Sequence, residues 1–318
     1  MPFLEPPVKL SDWSMKQLRQ RLRGPGLCLH SGPFISRVRT RIPAVAEGIA
    51  LLYADNAVSD DVPFADFHIA LTRPRGPRRW YKPQVLFEFD RLVPFKPLPL
   101  DQALPLLEWG FNWCIGLHAH QFLIIHAAAL ERDGLAVILP GPPGSGKSTL
   151  TAYLVHNGWR LLSDELALVS LSDGRVTPLA RPISLKNQSI DIIAQAVPGA
   201  IISARAEDTA KGTVALLKAP ADSQQRISET AQPAWVVFPR FEAGAAALLE
   251  THSKADTLIE LGRNAFNYSI HGRCGFEVLS RLVDNCACHG LTYSSLQEAR
   301  QVFDDLARAA QPAKRVLP

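Results

Sequence analysis

Nine consecutive residues constrain this chain more than any other stretch: Gly141-Pro142-Pro143-Gly144-Ser145-Gly146-Lys147-Ser148-Thr149. They follow the pattern Gly-x-x-x-x-Gly-Lys-Ser/Thr of a phosphate-binding loop, or P-loop. The apolar run Leu135–Leu139 ahead of them reads as a buried strand, and Thr149–Asn157 behind them reads as a helix closed at Asn157-Gly158. That order has a physical reason. Glycines let successive backbone N–H groups turn inward on phosphate oxygens, and the start of a helix adds partial positive charge. Lys147 is placed to reach the β- and γ-phosphates, and the Ser148 hydroxyl to take a position on Mg²⁺. Gly141, Gly144, Ser145, Gly146, Lys147, Ser148 and Thr149 are therefore the candidate nucleotide-binding residues.

The strand after the loop helix carries acids. Trp159–Leu162 leads into Ser163-Asp164-Glu165, which puts two carboxylates at the carboxyl end of that strand, the edge where open α/β sheets bind ligands. One can hold Mg²⁺ while the other accepts a proton from an attacking hydroxyl. A third group arrives by register. Gln121–Glu131 and Leu135–Pro140 flank Asp133-Gly134, a type I′ hairpin signal. Pairing Arg132 with Leu135 sets His126 opposite Gly141, and a one-residue slip of the turn sets it opposite Leu139 or Pro140. Either way His126 lies at the mouth of the loop, where an imidazole can orient or deprotonate a partner. Lys186, Lys211 and Arg240 are weaker candidates for neutralising a transferring phosphate, with Asn187 beside the first. Lys211 is preferred among them because Thr209-Ala210-Lys211-Gly212 suggests a tight loop.

Several function classes are excluded or unsupported. A net charge of +4 with scattered basic residues does not argue for nucleic acid. Trp109–Leu130 is interrupted by Asn112, His118, His120, Gln121 and His126, which argues against a membrane span. The five cysteines are odd in number and irregularly spaced, and Cys286-x-Cys288-His289 lacks a second ligand pair, so neither a disulfide framework nor a zinc site is expected. With no signal-peptide pattern in Met1–Trp13, a cytoplasmic location is the expectation. A guanine-recognition motif and an ABC signature are missing. Homo-oligomerisation is left open.

Along the chain, a polar leader is followed by strands at Leu27–His30, Phe34–Arg41, Phe64–Thr72 and Gln84–Asp90. Helices are expected at Pro43–Tyr53 and from Pro99 to about His118. Residues 1–120 thus read as a small α+β domain of unknown role. Residues 121–310 read as an α/β P-loop domain, with strands and loops to about 222 and late helices at Asp256–Asn267, Cys274–Asn285 and Ser294–Ala310. Residues 311–318 read as a mobile tail.

Three segments carry a resemblance: Ile124-Ile125-His126-Ala127, the P-loop, and Gly158-Trp159-Arg160-Leu161-Leu162-Ser163-Asp164-Glu165. They are similar to the HPr kinase/phosphorylase family, and more closely to its HPr-kinase-related branch (HprK-related kinase A). The resemblance implies a catalytic domain like that of HPr kinase and PEP carboxykinase, with ATP and Mg²⁺ as cofactors. It implies transfer of the γ-phosphoryl group to a hydroxyl, with a serine on a peptide or small protein as acceptor. Asp164 with His126 would handle the hydroxyl proton and Glu165 with Ser148 would serve Mg²⁺, or the two acids would exchange roles. Ala127 stands where the family has glycine, and Glu165 where it has a second aspartate. Asn264-Ala265-Phe266-Asn267-Tyr268 is a fainter likeness. The first 120 residues do not resemble the family, so its phosphocarrier substrate is not implied. A small-molecule alcohol kinase and a non-catalytic nucleotide-binding partner protein are the alternatives.

Overall fold

The structure, a computed structural model, describes residues 8–60, 62–76 and 81–310. The expected tail 311–318 lies outside the described residues, as do the first seven residues of the expected leader. The chain is mixed α/β with three sheets among the described residues, and its contacts group into two compact units. Unit 1 gathers the chain up to Ile115 together with Arg181–Ala194 and Pro198–Gln225; unit 2 takes Gly116–Ala180, Gln195–Val197 and the chain from Arg226. The sequence reading placed the whole of 121–310 in one domain, whereas most of 181–225 groups with the amino-terminal part.

The chain opens in unit 1 with α1 (Met15–Arg23), β1 (Leu27–Ser31), β2 (Phe34–Thr40), α2 (Pro43–Leu52), β3 (Val58–Ser59), β4 (Phe67–Thr72), β5 (Gln84–Phe89), β6 (Leu98–Pro99) and most of α3 (Ala103–His118), whose residues from Gly116 group with unit 2. Helix α1 stands where a leader was expected. Its signal was present: the Ser14 hydroxyl accepts the Gln17 N–H, and Gln17 returns to the Ser14 N–H, a capping box. Leu18 and Leu22, one turn apart, are its buried positions. The strands form a sheet of order β3-β1-β2-β4-β5-β6.

In unit 2 the chain continues through β7 (Phe122–Arg132), β8 (Leu135–Pro140), α4 (Lys147–Val155), β9 (Arg160–Ser163), β10 (Leu166–Ser170) and β11 (Val176–Thr177). It returns to unit 1 for β12 (Ile183–Lys186), α5 (Gln188–Ala196), β13 (Ala206–Thr209), β14 (Gly212–Leu217) and α6 (Ala221–Gln225). Helix α5 falls where only strands and loops were expected. It ends in unit 2 with β15 (Gln232–Phe241), β16 (Leu248–Thr251), α7 (Lys254–Asn264), α8 (Tyr268–Asn285), β17 (Ala287–Tyr293) and α9 (Leu296–Ala310). Helix α8 starts six residues earlier than expected because its first turn is set off by a break at Gly272, whose φ of 52° suits glycine.

The sheet of unit 2 has the order β11-β10-β7-β8-β15-β17-β16, with β9 also paired to β7. Strands β8, β15 and β17 are parallel neighbours, and the other pairings are antiparallel. Leu123, Ile125, Ala127 and Ala129 of β7 alternate onto one face, where they join Ile138 and the helix residues Leu261, Val278, Leu279 and Leu282 in a single core. Each large apolar side chain so buried contributes about 1.5–3 kcal/mol. This face fixes β7, and β7 fixes the site.

Candidate functional site

Strands β8 and β9 are both antiparallel to β7, so they run in the same direction on its two sides. The loop that leaves the end of β8 and the acids that leave the end of β9 therefore emerge at one edge of the sheet. The turn sets this arrangement. Asp133 and Gly134 both have positive φ, 54° and 80°, as a type I′ turn requires. Arg132 pairs with Leu135 and Ala127 with Pro140, the expected register, which leaves His126 one step further at the level of Gly141. On the other side of β7, Ala129 pairs with Ser163 and His126 with Leu166. Asp164 and Glu165 form the bend between those pairs, and the Ser163 hydroxyl closes it by accepting the Leu166 N–H at 3.1 Å.

Within this edge, the Ser148 hydroxyl donates to Asp164 Oδ2 at 3.4 Å. Lys147 and Asp164 are buried, while Ser148, Glu165 and His126 are half-buried. The loop of residues 141–146 is braced from β15 and β17. The Phe241 N–H donates to the Ser145 carbonyl at 3.1 Å, and the Tyr293 hydroxyl donates to the Gly146 carbonyl at 3.2 Å. Burial raises the Tyr293 phenol, which keeps it a donor at neutral pH. Gly146 has φ 86°, and a Cβ there would lie 2.4 Å from Tyr293 Oη, so the position demands glycine twice over. Its carbonyl also accepts the Leu150 N–H at 2.9 Å, the first bond of α4.

Among the weaker candidates, Arg240 alone lies in unit 2. Because β15 runs parallel to β8, Arg240 emerges at the same edge as the phosphate loop; its side chain is 76% exposed and pairs with Glu242 at 3.3 Å. Lys186, Asn187 and Lys211 belong to unit 1. Asn187 has φ 51° and its side chain accepts the Thr213 N–H, a loop-closing role. The Thr209–Gly212 loop is tight as expected, since Thr209 Oγ1 accepts the Lys211 N–H and donates to the Gly212 carbonyl at 2.6 Å. The Lys211 ammonium lies over Trp109, 5.4 Å from the ring centroid, a cation–π contact.

Two residues around the site, Phe241 and Tyr293, were not singled out from sequence, and Phe266 and Asn267 entered only within the fainter likeness of 264–268. The first two are the last residues of β15 and β17, at the edge where the loop emerges, a signal that strand order makes meaningful. Phe266 packs its ring 5.7 Å from that of His126. Asn267 is fully buried and its side chain reaches the backbone of β7.

The donor set fits a nucleotide with Mg²⁺. Gly144 and Gly146 have positive φ, opening the backbone as a phosphate cradle needs, and the Ser145 hydroxyl is buried with no hydrogen-bond partner among the described residues. A hydroxyl and one or two carboxylates are the protein ligands Mg²⁺ takes when phosphates supply the rest.

No family model matches the sequence, and no curated protein matches it. Among solved structures, the Hpr(Ser) kinase/phosphatase from Coxiella burnetii is similar at 12% identity and a TM-score of 0.29, covering 60% of this chain and 98% of that one. An overlap that loose carries no argument, so function has to be read from the residues. No helix among the described residues is long and apolar enough to cross a membrane.

Proposed function

We propose that this chain is an ATP-dependent kinase that transfers the γ-phosphoryl group of MgATP to a hydroxyl, a serine on a peptide or small protein. The observation that carries the reading is the Ser148–Asp164 contact of 3.4 Å, at the edge where the phosphate loop and His126 also lie. The acceptor class comes from the resemblance in residues 124–127, 141–149 and 158–165. In the reaction the acceptor oxygen bonds to the γ-phosphorus as the bridge to the β-phosphate breaks, and the hydroxyl proton passes to a protein base.

The residues divide this work. The loop backbone and Lys147 hold the β- and γ-phosphates in place. Mg²⁺, when bound, neutralises charge on the phosphate oxygens, and Ser148 with Asp164 would hold it. That contact favours the exchanged assignment of the two acids, which leaves Glu165 and His126 to receive the proton. Leu166, the next residue after Glu165, pairs with His126 across the strands. Arg240, exposed at the same edge, is available to the transferring phosphate.

The test uses γ-labelled ATP with a panel of serine-containing peptides and, separately, small alcohols. Asp164→Asn should lower phosphotransfer by about 10²–10³ and abolish the Mg²⁺-dependent part of ATP affinity, while Mg²⁺-free ATP binding persists. Equal phosphotransfer by Asp164→Asn and the parent would remove the proposed role. Label appearing only on small alcohols would replace the acceptor class.

A further inference from the structure

Strand β7 is longer than the strand beside it. On one edge β10 covers Phe122–His126, but on the opposite edge β8 pairs only from Ala127 onward, because the chain departs at Gly141 into the phosphate loop. The Phe122 and Ile124 backbone groups that face that edge would lack a ladder partner next to the site. Unpaired buried backbone groups are costly, so something has to fill the gap.

Ala265–Asn267 fills it, from more than 130 residues away in sequence. Ala265 bridges Ile125, and since β10 occupies one edge this contact lies on the other. The Phe266 N–H donates to the Ile124 carbonyl at 2.9 Å. The Asn267 side chain then does what a further strand residue would do. Its Oδ1 accepts the Ile124 N–H at 3.0 Å, and its Nδ2 donates to the Phe122 carbonyl at 2.8 Å. A side-chain amide offers an acceptor and donors side by side at any pH. Between these anchors Phe266 is held with its ring against His126, yet 54% exposed toward solvent.

We propose that Asn267 is a positioning residue and that it acts through Phe266 on His126. Replacing the missing piece of strand with an amide fixes the 265–267 backbone, which holds the Phe266 ring over one side of the imidazole and limits its rotamers. The inference rests on the kinase reading only for its kinetic consequence; the contact itself is independent of any activity. An imidazole held in one orientation serves proton transfer, and a displacement of about 1 Å can cost as much as 10²-fold in rate.

The experiment compares the full-length parent with Phe266→Ala and Asn267→Asp. Phe266 is largely exposed, so its removal leaves folding intact even where the aspartate variant, with two oxygens facing the Phe122 carbonyl, does not fold. Two readouts are taken. The first is the NMR signal of the His126 ring in histidine-labelled protein, assigned with His126→Asn. Both variants should move that signal, because the ring current of Phe266 is lost or displaced. The second is phosphotransfer: kcat should fall about 10-fold or more while the Kd for MgATP stays within about 3-fold of the parent. A His126 signal at the parental position in Phe266→Ala overturns the proposal whatever the activity. Loss of MgATP binding in proportion to kcat overturns it too, since that would mean a general collapse of the edge. If the parent transfers no phosphate but the His126 signal moves, the positioning stands and the kinase reading fails.

Discussion

The two ends of β7 treat charge in opposite ways. At the turn end, Glu131 is buried and answered entirely from within the protein. It accepts the Gly134 N–H, binds Arg160 Nε at 2.5 Å and lies 3.4 Å from Arg226 Nη2. Arg160 Nη1 and Nη2 donate to the Arg226 and Glu229 carbonyls at 2.7 and 2.9 Å. At the phosphate-loop end, the buried Asp164 is set against the Ser148 hydroxyl, beside a loop in which Gly144 and Gly146 have positive φ. The same strand is stapled by a buried ion pair at one end and borders the candidate site at the other. Stability should therefore respond at the turn, and ligand affinity at the loop.

The largest effect expected from that contrast is at the turn. Glu131→Gln keeps the shape but leaves Arg160 buried without its countercharge, which should cost about 3–5 kcal/mol in urea unfolding. ATP affinity, measured where the variant is folded, should stay parental. The pH dependence gives a second handle. Burial raises the Glu131 carboxyl, but the Gly134 N–H and the Arg160 guanidinium outweigh it and hold it below the usual glutamate value. A carboxyl lowered on folding stabilises the fold above its unfolded pKa, about 4.3, and that contribution fades as pH falls through the lowered folded value. The parent should lose stability across that acid window more steeply than Glu131→Gln. Parallel acid profiles, or a loss under about 1 kcal/mol, would end the idea of a stapled end.

How much of this contrast could be read beforehand depends on sequence distance. The loop, its helix and the hairpin register were legible because each is local: Asp133-Gly134 dictates the turn, and the turn dictates that His126 reaches Gly141. Asp164 and Glu165 followed from one more strand. Helix α1 was legible and missed, since Ser14, Gln17, Leu18 and Leu22 spell a capped amphipathic turn. The partners of Glu131 and the Asn267 patch were not, because no local rule connects residue 131 with 226 or residue 124 with 267. Nor could the sequence show that 181–194 and 198–225 group with unit 1, because β12, β13 and β14 form a separate three-stranded sheet. Strand patterns say that a segment pairs, not with what.

A middle-sized effect belongs at the loop end. Ser148→Ala removes the hydroxyl facing Asp164. Because Ser148 is a ligand of Mg²⁺ in the proposed reading, MgATP affinity measured by calorimetry should weaken roughly 10–100-fold, the scale on which metal-site residues act. Unfolding free energy should move by no more than about 0.5 kcal/mol, as for a half-buried position in the first turn of α4. A comparable loss in both measurements would mean the loop end is also a staple.

Tyr293 sharpens the division because it belongs to both regimes: its ring is buried in the core, and its hydroxyl holds the loop at the Gly146 carbonyl. Tyr293→Phe deletes only the hydroxyl. The carbonyl keeps the Leu150 N–H, so the loss is one hydrogen bond of two, about 0.5–1.5 kcal/mol. If the loop is held in shape for a ligand, that energy should appear as roughly a 2- to 10-fold weaker ATP affinity, with the urea midpoint little changed. If instead the midpoint falls and affinity does not, the Tyr293 hydroxyl is stapling the core as Arg160 does, and the loop end owes its geometry to stability after all.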